Sequence, residues 1–379
     1  MELLGKTVGE LRDYCLSLGE PAYRGGQIYH ALYAEKKFNL LQMSNLPAAF
    51  REKLSQHATV TLPRVQDRYL SSDGSVRYLL AFESGVKPAS VEAVYMPSER
   101  RQTICISTQA GCAVDCQFCL TAQLGLIRNL TAGEIIAQIL LPLKEMSEKR
   151  TRSAVAKSDI ALEPEDNPAE AGDAVQTNVV LMGQGEPLLN FENGMTALRI
   201  LLDEKGVGLS PKRVTLSTSG IVPGIERLAK EEVRPKLAIS LNASNDEQRD
   251  RLMPINRKYP LKMLLDACRQ YPLRNWEHLT FEYVMLGGVN DRTEDAKRVA
   301  KLLAPLTRVK INLIPWNPGE LPYKESSGER IESFRKILID CDVPAFVRYS
   351  RGRDVMAACG QLALLGVKNS PLVVLPQTS

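Results

Sequence analysis

Three cysteines with the spacing C-x3-C-x2-C are the residues best suited to chemistry in this chain. They are Cys112, Cys116 and Cys119, and they offer three thiolates to one metal centre without a fourth. A [4Fe–4S] cluster normally takes four cysteines, so three ligands leave one iron open to bind a small molecule through oxygen and nitrogen. Phe118 lies inside the motif and can shield such a cluster from solvent and oxidation. The spacing therefore predicts a [4Fe–4S] cluster with one iron open to a ligand.

The alternative for clustered cysteines is a structural zinc site, which usually combines two C-x2-C pairs. No second pair follows in the sequence. The remaining cysteines, at positions 15, 105, 268, 341 and 359, are single and scattered, and the three histidines are at 30, 57 and 278. This distribution favours the iron–sulfur cluster over zinc.

The composition is that of an ordinary globular protein. The chain has 379 residues, of which 44% are hydrophobic and 24% charged, and a net charge of +4 that is compatible with nucleic acid but does not establish it. The first residues lack a signal peptide, and no apolar run reaches the roughly 18 residues that a membrane helix needs. We therefore expect a cytoplasmic protein with no membrane partner, in which cysteines are metal ligands or catalytic thiols rather than structural disulfides.

The first 90 residues are predicted to form a small accessory domain. Apolar spacing predicts helices at 8–18, 26–35 and 48–56, and an Asp-Gly turn between alternating runs predicts a β-hairpin over 69–78. A helical N-terminal module with a β-hairpin extension thus precedes the segment that carries the cysteine motif.

Beyond this module, β-rich runs alternate with helical stretches, which predicts a parallel sheet with right-handed crossovers. The cysteine motif follows the first of these runs, at the carboxyl-terminal edge where such folds place their chemistry. Six units favour a partial (β/α)6 barrel over 91–366, although an open doubly wound sheet has the same alternation. The predicted strands are 103–107, 178–182, 213–217, 236–241, 280–285 and 310–314.

Two segments interrupt this pattern. Residues 144–176 are rich in Ser, Ala, Glu and Pro, which predicts a solvated, flexible insertion. Residues 367–379 are predicted to be an irregular C-terminal tail.

Short polar sequences follow several predicted strands. In Met182-Gly-Gln-Gly-Glu-Pro-Leu-Leu-Asn190, the glycines allow a ligand to approach the backbone and Glu186 can accept hydrogen bonds from an ammonium group. The runs at 216–220, 239–243 and 312–318 offer Ser and Asn side chains that could contact ribose, carboxylate or adenine. Such residues also cap helices, and this alternative is open for each run.

Two single cysteines have a possible chemical role. A free cysteine is usually a buried, inert residue. Beside the predicted cluster, however, one thiolate can accept a methyl group as a nucleophile and a second can release a carbon–sulfur adduct by forming a disulfide. Cys105, at the end of the first barrel strand, and Cys359 are the candidates.

With these residues taken together, the chain resembles the RlmN family of dual-specificity RNA methyltransferases, within the radical S-adenosylmethionine superfamily. The resemblance extends over nearly the whole sequence. The segments that carry it are 23–29, 46–47, 91–92, 129–134, 185–187, 217–220, 254–256, 283–286 and 358–361, together with the cysteine motif.

The resemblance implies a role for each matching residue. It makes the three clustered cysteines the cluster ligands, Cys359 the methyl carrier, Cys105 the resolving cysteine and Glu92 the proton acceptor. Asn242 departs from the family pattern, which has histidine at this position. The implied contacts with S-adenosylmethionine are Gly185, Glu186, Ser217, Ser240, Leu241, Asn242 and Asn317.

The activity implied by the resemblance is methylation of adenosine C2 in RNA. The substrates would be 23S rRNA in the peptidyl-transferase region and tRNA at the adenosine 3′ of the anticodon. Adenine C2 is electron-poor and cannot attack a methyl donor directly. The implied route therefore uses two S-adenosylmethionine molecules per turnover, a methyl-cysteine intermediate, a transient disulfide and an external electron donor. A monomer is expected.

The N-terminal module is the candidate for RNA handling. Its arginines and lysines can contact phosphate, and its tyrosines can stack on bases. Packing and solvated surface remain the alternative for both sets. The residues concerned are Arg24, Lys36, Lys37, Arg51 and Lys53 among the cations, and Tyr23, Tyr29 and Tyr33 among the aromatics.

Three other functions are considered. A Cfr-like enzyme would methylate adenosine C8 with the same cysteines. A glycyl-radical activating enzyme would not need Cys105 and Cys359, and a zinc-stabilised RNA-binding module would not cleave S-adenosylmethionine.

Overall fold

The computed structural model describes residues 1–83, 87–158 and 175–364. The helices, numbered α1 to α11 in chain order, are Val8–Ser17, Tyr23–Tyr33, Ala48–His57, Leu120–Gln123, Ala132–Ser158, Phe191–Leu202, Val222–Ala229, Asp246–Leu252, Leu261–Gln270, Thr293–Leu303 and Gly328–Asp340. The strands, numbered β1 to β12, are Arg64–Leu70, Val76–Phe82, Ala89–Pro97, Arg101–Cys105, Gln109–Gly111, Leu126–Asn129, Gln176–Leu181, Val214–Thr218, Lys236–Ser240, Leu279–Met285, Val309–Pro315 and Ala345–Val347.

Ten of these strands form one mixed sheet in the order β1-β2-β3-β4-β7-β8-β9-β10-β11-β12. The first four are antiparallel neighbours, and every pairing from β4 to β12 is parallel. The predicted partial (β/α)6 barrel is confirmed, and all six predicted strands are present. The short strand β12 at the edge is an addition that the sequence analysis did not predict.

Alternating burial along a strand shows which of its side chains face the hydrophobic core and which face the other side of the sheet. In β10, Phe281, Tyr283 and Met285 are buried in the core, whereas Thr280, Glu282 and Val284 are partly exposed on the other face. Parallel strands bring their carboxyl ends to one edge, so the loops that follow β7 to β11 meet there. The polar residues of β10 therefore face the interior of the partial barrel at that edge.

The N-terminal helices pack directly against the barrel. Helix α1 begins with a capping box between Thr7 and Glu10. Gly5 lies so close to Gly133, in the first turn of α5, that a Cβ atom on Gly5 would be 2.2 Å from the Gly133 nitrogen. The module and the barrel thus meet through two glycines that bring the backbones into contact.

The β-hairpin extends the sheet of the barrel. Its strands β1 and β2 are antiparallel, and β2 pairs in turn with β3. The boundary predicted at residue 90 lies inside β3, so the hairpin shares one sheet with the catalytic segment. The domain limits 1–90, 91–366 and 367–379 stay a prediction.

The predicted insertion at 144–176 is only partly described. Helix α5 continues through Pro142 to Ser158, and β7 begins at Gln176, so the two ends of the predicted loop are regular structure. Residues 159–174 and the predicted C-terminal tail from 367 lie outside the described residues. Among the helices that are described, none is long and apolar enough to cross a membrane.

Candidate active site

Two adjoining pockets lie at the carboxyl-terminal edge of the parallel strands. We call the first the cysteine pocket, because the three clustered cysteines line it. We call the second the outer pocket, whose wall includes Met96, Cys105, Asn312, Tyr349 and Arg351. The residues that line both pockets, and so form the boundary between them, are Cys119, Thr121, Met182, Gly183, Glu282, Ile314, Cys359 and Gly360.

The cysteine loop is folded tightly between β5 and α4. Gly111 has a φ of +72°, and a Cβ atom there would be 1.8 Å from the Gly125 carbonyl oxygen, so only glycine fits. The Cys119 amide donates to the Cys116 carbonyl at 3.1 Å, and the Gln117 amide donates to Leu252 at 3.0 Å. These constraints point all three cysteine side chains into one pocket, as the sequence predicted.

The protein around the three thiols disfavours their charged form. Burial raises the pKa of Cys112 to about 12, and it raises the pKa values of Cys116 and Cys119 as well. The charges of Cys119 and Cys112 raise the pKa of Cys116 further, whereas the nearby Arg249 guanidinium lowers it. A bound cationic centre would offset this cost, because metal ligation deprotonates a thiol. Three soft sulfur donors in one pocket fit an iron–sulfur cluster.

A single metal ion makes a different geometric demand. Within the described ranges, no three His, Cys, Asp or Glu side chains are arranged to coordinate one ion. In a cubane each cysteine binds a different iron atom, so its ligands are not required to converge on one point.

Glu186 is buried after β7 and is held by three hydrogen bonds. Its carboxylate accepts from the Leu188 amide at 3.0 Å and from both the amide and the hydroxyl of Ser219 at 2.7 Å. Burial raises its pKa, and the Ser219 bonds act in the opposite direction. Gly185 has a φ of +96° and packs against Gln109, where a Cβ atom would lie 2.5 Å from the Gln109 Cβ. Both residues line the cysteine pocket, and their contact with the cofactor stays a prediction.

The serines predicted to contact the cofactor lie together. Ser217 and Ser240, at the ends of β8 and β9, have hydroxyl oxygens 3.5 Å apart in the wall of the cysteine pocket. Leu241 is fully buried, does not line the pocket, and donates its amide to the Glu282 carbonyl at 2.9 Å. A contact from this residue would have to come from its backbone.

Asn242 lines the cysteine pocket but uses its side chain within the protein. Its φ is +56°, a left-handed conformation that asparagine tolerates better than most residues. The amide oxygen accepts from the Val284 nitrogen at 2.8 Å, and the amide nitrogen donates to the Met253 sulfur at 3.3 Å. The side chain thereby connects the end of β9 to β10.

Asn317 lies outside the lining of both pockets. It is buried and donates to the Ser350 hydroxyl at 3.0 Å and to the Cys359 carbonyl at 3.2 Å. These bonds orient the loop that carries Cys359. Direct contact between Asn317 and the cofactor stays a prediction.

The loop of residues 351–364, which carries Cys359, is bonded to the rest of the protein at both ends. Near its start, Gly352 donates to Asp73 at 3.0 Å, and Asp354 accepts from Ser71 at 2.6 Å, both in the hairpin turn. At its end, the Leu364 amide donates to Glu92 at 3.1 Å. Cys359 lies between these attachments, on the boundary between the pockets.

The two single cysteines differ in accessibility. Cys105 is buried at the end of β4 and lines only the outer pocket, and burial raises its pKa far above the usual value. As a residue Cys359 is exposed at the pockets, but its thiol is surrounded by protein, and this burial raises its pKa to about 11. Both residues line the outer pocket, and the charge of Cys359 contributes to the raised pKa of Cys105.

Glu92 is not in the lining of either pocket. Its carboxylate is buried, pairs with Arg77 at 2.7 Å and accepts from Gln184 at 3.2 Å. Burial raises its pKa, and Arg77 opposes that effect. Its role as a proton acceptor stays a prediction.

Sequence reasoning missed two charged residues of the site. Arg249, on α8, donates to the carbonyls of Ser219, Ser240 and Leu241. Glu282, on β10, lies in the boundary between the pockets. A signal for Glu282 was available, since a carboxylate in the middle of an otherwise apolar parallel strand must face an interior space.

The N-terminal tyrosines correct one expectation. Tyr29 and Tyr33 are buried and pack edge to face with centroids 4.8 Å apart, and the Tyr33 hydroxyl accepts from the Gly5 amide at 2.9 Å. They form core and cannot stack on RNA. Tyr23 is 60% exposed and is the one of the three available to a base. Arg24 pairs with Glu20 at 2.8 Å and approaches the Tyr23 ring.

This fold and site define a radical S-adenosylmethionine enzyme. The sequence profile of the Radical SAM superfamily matches residues 106–303. The crystal structure of a radical SAM methyltransferase from Sphaerobacter thermophilus is similar, with a TM-score of 0.83 and 40% identity over 96% of this chain and 99% of that chain. Membership implies a [4Fe–4S] cluster and S-adenosylmethionine.

The family within this superfamily follows from the whole length of the sequence. The profile of the ribosomal RNA large subunit methyltransferase N-terminal domain matches residues 1–60. A probable dual-specificity RNA methyltransferase RlmN from Koribacter versatilis is 47% identical over 91% of this chain and 96% of its own length. RlmN from Paracoccus denitrificans is 43% identical over 95% of this chain and 89% of its own. The chain belongs to the RlmN family of radical SAM RNA methyltransferases, as the resemblance indicated.

Proposed function

We propose that this protein methylates C2 of adenosine in 23S rRNA and in tRNA, with Cys359 as the methyl carrier and Cys105 as the resolving thiol. The observation that carries the proposal is the position of Cys359 on the boundary between two pockets. A sulfur there is reachable from the cofactor side and from the side that contains Cys105.

The cysteine pocket supports cofactor binding. Its three thiols would ligate the cluster, while Ser217, Ser240 and the backbone at Gly185 offer polar contacts to a bound S-adenosylmethionine. When bound, the cluster and two S-adenosylmethionine molecules per turnover supply a methyl group to Cys359 and the radical chemistry that activates this group. The remaining steps belong to residues of the chain.

The outer pocket supports binding of the target adenine. Its mouth carries Arg348, Tyr349 and Arg351, and Tyr349 is 66% exposed, which suits contacts to phosphate and to an unstacked base. An adenine inside would lie beside both Cys105 and Cys359. Because the base must leave its stack to enter, loops with exposed adenines are the favoured substrates over duplexes.

Product release would depend on the two cysteines. After the methyl carbon of Cys359 has joined C2, the adduct would lose the C2 proton to Glu92 or Cys105 and one electron to the redox centre that supplied it, which gives a closed-shell protein–RNA adduct. The Cys105 thiolate then attacks the Cys359 sulfur, the carbon–sulfur electrons pass to the methylene carbon, which takes up a proton to become the methyl group, and a disulfide forms. An external donor of two electrons restores both thiols.

The experiment uses Cys105→Ala and Cys359→Ala in anaerobically prepared protein with tRNA, S-adenosylmethionine and reductant. Cys105→Ala is expected to accumulate a covalent protein–RNA species, because it cannot resolve the adduct. Cys359→Ala is expected to form none. Denaturing gel electrophoresis with labelled RNA measures both, and Cys341→Ala, at an exposed cysteine outside the pockets, is the control. Crosslinks in both variants, or in neither, would contradict these roles.

The position of the methyl group requires a separate measurement. RNA from cells that lack this protein, and from cells that regain it, can be digested to nucleosides and separated by chromatography with mass detection. We expect 2-methyladenosine in both rRNA and tRNA. A product methylated at C8 would instead support the Cfr-like alternative.

A further inference from the structure

Glu282 is the one carboxylate in the two pockets that the proposed function leaves without a task. Glu186 is the only other carboxylate among the lining residues, and three donors already occupy it. Glu282 lines both pockets, as Cys359 does. In the register of the sheet it stands beside Ser240 on β9 and Asn312 on β11.

We propose that Glu282 is the proton acceptor that activates Cys359 for methylation. The inference rests on the proposed function, in which Cys359 receives a methyl group. As the Cys359 sulfur attacks the sulfonium methyl, its proton passes to the Glu282 carboxylate. A carbon–sulfur bond forms at Cys359, the methyl–sulfonium bond breaks with its electrons, and a neutral thioether leaves.

The need for a base follows from the state of the thiol. A thiolate, not a thiol, is the nucleophile, and a pKa of about 11 leaves on the order of one Cys359 in ten thousand ionised at pH 7. The charge of Glu282 is itself one cause of that raised pKa, after burial, so the two groups lie within electrostatic reach of each other. Glu282 therefore has two effects: its charge raises the pKa of Cys359, and its carboxylate can accept the proton that Cys359 must lose.

Glu282 is poised to exchange a proton near neutrality. Burial raises the pKa of its carboxyl to about 7, and a hydrogen bond from Asn312 limits the rise. Arg348 donates to the Asn312 oxygen at 3.1 Å, which orients the amide. The other ionisable groups that face the same two pockets are the five cysteines already described, Glu186, Arg348, Tyr349 and Arg351. Neither arginine pairs with Glu282 among the ion pairs of the described chain.

The test isolates methyl transfer to protein. Cluster-loaded protein with unmethylated Cys359 is mixed with methyl-deuterated S-adenosylmethionine, without reductant and without RNA. Mass spectrometry of the tryptic peptide 354–368, which contains no other cysteine, follows the label. Glu282→Gln is compared with wild type and with Glu329→Gln. Glu329 is an exposed glutamate that lines neither of the two pockets.

We expect Glu282→Gln to slow labelling at pH 7 by about 100-fold, within the usual range for a general base. The ratio of the wild-type labelling rate to the Glu282→Gln rate should decrease by about tenfold per pH unit from pH 7 toward pH 9, because the thiol then loses its proton directly to solvent. Wild-type labelling should rise with pH through about 7, and Asn312→Ala should move that midpoint upward because it removes a bond that lowers the pKa of Glu282.

A second measurement does not require the cofactor reaction. Iodoacetamide alkylation of Cys359 is followed on the same peptide. If Glu282 only raised the pKa of Cys359 by its charge, Glu282→Gln would react faster than wild type at pH 7, whereas loss of a base makes it slower. Equal or faster alkylation and labelling in Glu282→Gln would overturn the proposal.

The wild-type profile remains informative if Glu282→Gln fails to fold. Alkylation that increases through pH 7 and then levels supports the base, and a steady increase toward pH 11 overturns it. If wild-type protein takes no label at Cys359, both the proposed function and this inference are contradicted. If wild-type protein is labelled and Glu282→Gln is labelled at the same rate, only the role of Glu282 is contradicted.

Discussion

Single side chains in this site often do structural work at the place where the cofactor is expected. Asn242 is the clearest case, because its amide oxygen is committed to the Val284 nitrogen and its backbone is left-handed. The histidine expected at this position by family resemblance is replaced by a residue that suits the observed conformation. Asn242 therefore stabilises the junction between β9 and β10, whatever it contributes to binding.

We predict that Asn242→Ala lowers the free energy of unfolding by about 2–3 kcal/mol. The partly buried Val284 amide loses its acceptor, and alanine is disfavoured at positive φ. Urea unfolding followed by circular dichroism measures the change. Asn242→Gly relieves the backbone strain but not the lost hydrogen bond, so it should be the milder variant. Equal stability of Asn242→Ala and wild type would contradict this account.

At the scale of elements, β8, β9 and α8 are connected by one guanidinium. Arg249 is fully buried, and its donors reach the carbonyls of Ser219, Ser240 and Leu241, while Nη1 bonds the Asn256 side chain at 3.0 Å. Burial lowers its pKa to about 10, which leaves it charged at neutral pH. The same cation lowers the pKa of Cys116. Arg249 therefore both bonds the ends of β8 and β9 and favours the thiolate form of Cys116.

We predict that Arg249→Met destabilises the protein by about 3 kcal/mol or more, because several buried carbonyl oxygens lose their donors at once. Arg249→Lys keeps the charge but not the geometry, and should recover only part of the loss. Thermal unfolding of the cluster-free protein separates this effect from cluster loading. A methionine variant as stable as wild type would show that water replaces the guanidinium without cost.

The elements were predictable where the sequence pattern was local. The six barrel strands and the three N-terminal helices lie within a few residues of their predicted positions, because apolar runs bounded by turn residues carry a strong signal. Helix α5 beyond residue 144 was missed, since Pro142 and the following polar composition are typical of a helix end. The burial of Tyr29 and Tyr33 was also missed, because packing between elements decides whether an aromatic side chain is core or contact surface.

The site was predictable where it forms a motif and not where it depends on sheet register. The cysteine motif and the Gly-Glu run are contiguous in sequence. Glu282 joins Cys359 only because β10 lies between β9 and β11 and the loop of residues 351–364 returns to their ends. No spacing in the sequence records that neighbourhood.

The whole molecule depends on close contact between the N-terminal module and the barrel. Gly5 and Gly133 place two backbones against each other, and a Cβ atom on Gly133 would be 2.5 Å from the Leu4 carbonyl oxygen. The hairpin turn bonds the loop that carries Cys359, through Asp73 to Gly352 and through Ser71 to Asp354. The N-terminal module, which is the candidate for RNA handling, and the catalytic pockets are thus parts of one packed body in the described residues.

We predict that Gly133→Ala lowers the melting temperature and weakens tRNA binding, because the methyl group must displace backbone rather than a flexible side chain. Gly26→Ala is the matched control: in the described structure, no atom apart from its chain neighbours and its own helix backbone lies within 4 Å of the new Cβ, so the variant should be neutral or stabilising by up to about 1 kcal/mol. Scanning fluorimetry and filter binding measure the two effects. Equal behaviour of the two variants would contradict a role for the glycine contact.

The attachment of the loop of residues 351–364 at both ends has a kinetic consequence. Because the loop is held at both ends, the Cys359 sulfur can move only within a small volume. Its reaction with Cys105 is therefore intramolecular and takes place at a high effective concentration. Within the proposed cycle, ring closure between the two sulfurs should therefore be fast, and the supply of reducing equivalents from outside should set the pace of repeated turnover.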